Sequence, residues 1–205
     1  MINNTTDIFP RRLRQVRLMR GLSLEKLSRC LSPAVTRQAI NKYEKGQMKP
    51  DSRVLIALAG ALGVKIDYFF RPFTVEVDKV EFRKMPGFTE KMAAVVKERV
   101  REELERYLEI EQLSDSSINF TLPRKDVKTI DEAKAVAHEI RNLLGLGNDG
   151  ISNVIEVLED NGIKVIELVE DNNFDGLSGY ANGNIPLIVV NGNFSSERKR
   201  YTALH

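Results

Sequence analysis

From Phe9 to Phe70 the apolar residues recur at three- and four-residue intervals, and the run is cut at Gly21, Ser32-Pro33, Gly46 and Gly63. That period belongs to a helix with one apolar stripe, and glycine or proline at such spacing ends each helix after a few turns. The stretch is therefore expected to fold as short helices around a shared core. The first runs from Phe9-Pro10 through Leu13, Val16, Arg17 and Met19 to Gly21. Ser23 caps a second, in which Leu24, Leu27 and Leu31 return at helical spacing while Glu25 and Lys26 face water, until Ser32-Pro33-Ala34-Val35 breaks it. Thr36 caps a third, from Arg37 to Lys45, with Ala39, Ile40 and Tyr43 turned inward and Gly46 as its stop. A mostly apolar helix from Asp51 to Gly63 and a short turn from Asp67 to Phe70 close the core.

Charge changes at the end of this module. Residues 1–72 carry 14 Lys/Arg against 5 Asp/Glu, a net +9, whereas residues 73–205 carry 17 against 24, a net −7. Basic surface confined to one small domain points to a polyanionic partner. The third helix shows where that partner meets it, because its outward face is Arg37, Gln38, Asn41, Lys42 and Lys45. These side chains donate to guanine or adenine edges or pair with phosphate, and two short helices joined by a tight turn make a reading head of major-groove width.

The same residues carry a resemblance. Leu22-Ser23-Leu24-Glu25-Lys26-Leu27, Thr36 through Ile40, Glu44-Lys45-Gly46, Lys49-Pro50, Leu58-Ala59 and Ala61-Leu62-Gly63-Val64 resemble the XRE (Cro/CI-type) helix-turn-helix family over about 60 residues. The resemblance implies that Arg37, Gln38 and Lys42 touch bases, that Thr36 and Asn41 flank them, and that Lys45 lies near the DNA backbone. It gives Glu44 a structural role, tied through an arginine such as Arg17. One such domain buries too little surface for tight binding alone, so the expected partner is double-stranded DNA with a palindromic operator, bound by a homodimer.

Beyond this module, residues 72–88 alternate loosely and read as a short extended connector, with Val75, Val77, Val80 and Phe82 among charges. A long amphipathic helix is expected from Thr89 to Leu113, and a polar linker from Ser114 to Lys128. Thr129-Ile130-Asp131-Glu132 is a capping-box signature opening a helix to Leu144, whose buried stripe would be Ala133, Val136, Ala137, Ile140 and Leu143, with His138 on the wet face. Ser152 would cap the next helix, to Asn161-Gly162. Strands are expected over Ile163–Val169 and Ile185–Asn191, with Asp175-Gly176-Leu177-Ser178-Gly179 turning between them. A last helix starts at Ser195 or Ser196 and brings Arg198, Thr202 and His205 onto one face. Cys30, the single cysteine, excludes an internal disulfide and reads as an inert core residue. Met1 to Arg12 has no apolar signal core, and the longest apolar run, Val54–Val64, is far short of the ~18 residues of a membrane span, so no membrane partner and a cytoplasmic location are expected.

The second half also resembles a family. Leu158 through Val165, Asp175 through Gly179, Ile188 through Asn191 and Ser196 through His205 resemble the ImmA/IrrE metallopeptidase-like proteins over about 75 residues. The resemblance implies that His205 is the first zinc ligand of a longer parent, since the family's motif continues with Glu and a second His. A zinc hydrolase takes about three protein ligands and a general base, so no catalytic zinc site is expected within these 205 residues, no cofactor is expected for this chain, and a longer parent could be a zinc metallopeptidase. The expected fold is mainly α with a small α+β part. A five-helix XRE-type domain (8–72) precedes a connector with a long linker helix (73–128) and a truncated ImmA/IrrE-like domain with a few strands (129–205). The expected function is a sequence-specific bacterial or phage transcriptional regulator, of repressor or antitoxin type. Two alternatives stay open: the N-terminal piece of a zinc endopeptidase targeted to DNA, acting on a substrate protein, and an antitoxin whose C-terminal half masks a toxin.

Overall fold

The computed structural model describes residues 8–31, 33, 35–123 and 125–204, with the side chains of Asp78 and Lys84 left aside. Ser32 and Ala34 of the expected helix break, and His205, therefore lie outside the described residues. The chain divides into two compact units. Residues up to Thr74 with Thr89–Glu102 form the first, and Val75–Phe88 with the residues from Glu103 onward form the second.

The first unit contains α1 (Ile8–Met19), α2 (Leu24–Leu31), α3 (Arg37–Glu44), α4 (Ser52–Leu62), a 3-10 turn over Ile66–Phe70, and the first half of α5 (Glu90–Ser114). Side-chain caps hold these helices, at Ser23 as expected and also at Asp51 and Thr89. Ser23 Oγ accepts the Lys26 N–H at 3.1 Å, Asp51 the Val54 N–H at 2.8 Å, and Thr89 Oγ1 the Met92 N–H at 3.2 Å. Gly63 ends α4 in the left-handed region at φ 64°, where its N–H reaches the last-turn carbonyls. Leu13, Val16, Leu27, Leu31, Val35, Ile40, Tyr43, Leu58, Ala59, Leu62 and Phe69 meet in one core. Each is a stripe residue of its helix or a residue between helices, so burial rather than propensity holds the unit together.

A charge is also buried here. Arg12 is inaccessible, yet its guanidinium donates to the Arg71 and Pro72 carbonyls at 2.9 and 2.6 Å and to Gln15 Oε1 at 2.8 Å, and it faces Glu102 of α5 at 3.7 Å. The Tyr68 hydroxyl donates to Glu102 Oε2 at 3.1 Å, and burial, followed by the charge of Glu102, pushes its pKa well above the usual tyrosine range. Such a charge is tolerated only with its partners in place. The network therefore fastens the middle of α5 to α1, which no helical pattern indicates.

The second unit is built on a four-stranded sheet in the order β1-β3-β4-β2, with β1 Val77–Lys84, β2 Lys164–Leu168, β3 Phe174–Ala181 and β4 Ile185–Asn191. β3 runs antiparallel to both β1 and β4, and β2 parallel to β4. Helices α6 (Ile130–Leu143), α7 (Val154–Asp160) and α8 (Ser196–Leu204) complete it. Val154, Val190 and Ala203 form a small core between α7, α8 and β4. Buried Asn191 ends β4 by donating to the carbonyls of Glu170, Asp171 and Phe174 at 3.3, 3.0 and 2.7 Å.

Asp175–Gly179 is not a turn but the middle of β3. A side chain at Gly176 would meet the Val189 carbonyl at 2.5 Å, and one at Gly179 the Lys79 carbonyl at 2.5 Å, so these glycines permit close approach within a sheet. The actual turn is Asn182-Gly183, at φ 50° and 79°, closed by Asn184 N–H donating to the Ala181 carbonyl at 3.2 Å. Residues 77–84 are a paired strand, not a free connector. Asn153, not Ser152, caps α7, accepting the Glu156 N–H at 3.2 Å. The capping box of α6 is present, but none of its residues is buried, and Ile130 and Leu143 are 77% and 58% exposed. Amphipathic spacing shows that a helix has an apolar side; it does not supply the element that covers it. Cys30 is exposed, not part of the core. Among the described residues no helix is long and apolar enough to cross a membrane.

Candidate nucleic-acid interface

The recognition surface is set by how α3 is fixed from behind. Thr36 stays extended at φ −81° and ψ 159° and its Oγ1 accepts the Ala39 N–H at 3.2 Å, which sets the first turn of the helix. Ile40 and Tyr43 are buried, and desolvation, then the carboxylate of Asp51, raises the Tyr43 pKa. At the far end Lys45 donates its N–H to the Asn41 carbonyl, and Gly46 turns the chain away at φ 67°. A two-point ion pair then locks the rotation of the helix: Arg17 Nε and Nη2 of α1 donate to Glu44 Oε1 and Oε2 at 2.5 and 2.7 Å, while Nη1 donates to the Leu22 carbonyl at 2.8 Å. Both side chains are largely buried, which strengthens a bidentate pair.

With one face so fixed, the other is open. Thr36, Arg37, Gln38, Lys42 and Lys45 are exposed and Asn41 is half-buried, so all six expected residues fall on or beside one surface of α3. Among the described residues the side chains of Arg37, Gln38, Asn41, Lys42 and Lys45 make no hydrogen bond or ion pair. Their donors therefore point to solvent on a rigid helix, which is what base-edge and phosphate recognition needs. Lys91 at the start of α5 lines a concavity shared with Arg37. Its position went unseen in the sequence because it read as one of many charges filling a linker helix.

His205 lies outside the described residues, and among those described no group of three or more His, Cys, Asp and Glu side chains could hold a metal ion. Arg198 and Thr202 stand four residues apart on α8, and Arg198 donates to buried Asp175 at 2.6 and 3.0 Å and lies 3.7 Å over the Phe194 ring, tethering α8 to β3. His138 is exposed on α6.

A helix-turn-helix family model matches residues 13–69, from α1 to the 3-10 turn. The SPbeta prophage-derived uncharacterized HTH-type transcriptional regulator YonR of Bacillus subtilis (strain 168) is 32% identical over 79 residues, covering 38% of this chain and 71% of that protein. The crystal structure of the clp gene regulator ClgR from Corynebacterium glutamicum aligns with a TM-score of 0.31 at 15% identity, over 56% of this chain and 97% of that chain. With its matched core, its locked third helix and its likeness to most of a prophage regulator, the chain belongs to the helix-turn-helix family of transcriptional regulators.

Proposed function

We propose that this DNA-binding regulator is sequence-specific and reads the major groove with residues 36–45, acting as a bacterial or phage repressor or antitoxin-type regulator. The observation that carries the reading is the open face of Arg37, Gln38, Asn41, Lys42 and Lys45 on a helix whose back is pinned by Arg17–Glu44. Arg37 and Gln38 set base preference, Lys42 adds a base contact, Thr36 and Asn41 flank them, and Lys45 pairs with phosphate. A good bidentate base contact is worth ~1–3 kcal/mol of discrimination, while each phosphate contact mainly steepens the salt dependence. Residues 8–72, with the first half of α5, form the DNA-binding domain, and the second unit, which takes Val77–Lys84 into its sheet, serves as an interaction or signal-input domain of ImmA/IrrE type.

Selection from random-sequence duplexes, followed by binding of the selected and scrambled duplexes, tests this. The Arg37→Ala/Gln38→Ala variant should lose about 2–4 kcal/mol of preference between the two while keeping weak, salt-sensitive binding. Undiminished preference in that variant would refute the assignment.

A further inference from the structure

The concavity beside α3 has a volume of about 440 Å³ and is lined by residues from three places in the chain: the α1–α2 corner (Arg17, Leu18, Leu22, Leu24), the first residue of α3 (Arg37) and the first turns of α5 (Lys91, Val95). Its walls are half-buried and apolar, at Leu18, Leu22, Leu24 and Val95. Its ionic groups are Arg17, Glu25, Arg37 and Lys91. Arg17 is neutralised by Glu44, and Glu25 is drawn to Arg29 of its own helix at 3.4 Å. Arg37 and Lys91 remain as two exposed cations with no ion pair among the described residues. The first half of α5 is a fixed part of this unit, since Arg99 donates to the Met19 carbonyl at 3.2 Å and Glu102 sits in the buried Arg12 network.

Two unneutralised cations across an apolar hollow, one of them on the N-terminal turn of the recognition helix, suit a sugar–phosphate unit. The phosphate takes the charges, and the deoxyribose lies against the leucines. We propose that Lys91 is a DNA-backbone contact supplied from outside the helix-turn-helix, gripping a phosphate next to the bases that Arg37 reads. This rests on the reading of α3 as the recognition helix. It extends the DNA footprint onto α5, so any event that loosens α5 weakens DNA affinity without touching base preference.

The test is the salt dependence of binding to a mixed-sequence duplex of about 30 base pairs, which needs no knowledge of the operator. With the full chain, Lys91→Gln should lower the slope of log K against log salt by about 0.9, and affinity at about 0.1 M salt by about eightfold. Lys91→Arg should restore both. Lys134→Gln, the same charge change on α6 in the other unit, should leave the slope unchanged. Preference for a selected over a scrambled duplex should be untouched by Lys91→Gln, in contrast to Arg37→Ala. A Lys91→Gln slope equal to that of wild type, or a loss matched by Lys134→Gln, would overturn the proposal while leaving the recognition helix intact. Absence of salt-dependent binding by the wild-type chain would remove the recognition-helix reading as well.

Discussion

Arg17 and Glu44 show how one pair of residues serves function without touching a ligand. Their bidentate bond ties α1 to the C-terminal end of α3 beside the shared core, and it holds the rotation that turns Arg37, Gln38 and Lys42 outward. Removing one partner leaves the other charge uncompensated in a largely buried place, which typically costs about 3–5 kcal/mol. Glu44→Gln should accordingly lower stability by about 3 kcal/mol in a urea titration followed by helical circular dichroism. A loss below about 1 kcal/mol would mean that water reaches and screens Arg17. At this scale the sequence was informative, since the resemblance singled out both residues and the caps at Ser23, Thr36 and Asp51 lie where side-chain chemistry requires them. Its failures are instructive too. Ser152 and Asn153 are both good caps, and adjacent candidates differ only in which one the backbone leaves extended.

At the scale of elements, glycine was the least legible residue. Gly176 and Gly183 carry the same letter, yet the first sits in a strand against the Val189 carbonyl and the second in a turn at positive φ. The dipeptide Asn182-Gly183 was the stronger turn signal, because both central positions of such a turn need positive φ. One substitution separates the two uses of glycine. Gly176→Ala should destabilise the sheet by about 2 kcal/mol, since the new methyl group must displace backbone. Gly60→Ala on α4, where nothing lies within 4 Å of the added carbon, should stabilise by about 0.5–1 kcal/mol. Thermal melts of the two variants should therefore move in opposite directions; a shift of Gly176→Ala to higher temperature would contradict the packing described for β3.

At the scale of the whole molecule, the two units differ in how much of their purpose lies in sequence order. The first is assembled from consecutive helices, so local spacing and caps foretell its core. The second pairs Val77–Lys84 with the strand Phe174–Ala181, and such long-range pairing leaves little local trace. For a regulator acting on a palindromic site, the expected assembly is a homodimer, with a sedimentation-equilibrium mass about twice the 23.2 kDa of the chain at micromolar concentration. A monomer mass that persists when the selected operator is saturated would refute that stoichiometry. The sequence by itself determined the helical module, its basic charge and the outward face of α3, because caps, breakers and a period near 3.6 are local properties of the chain. Only tertiary structure decided that Arg12 would be buried with Glu102, that Gly176 would lie within a sheet, that the stripe of α6 would stay open, and that Lys91 would line one concavity with Arg37. Each of these depends on which distant segments meet, and no local pattern encodes that.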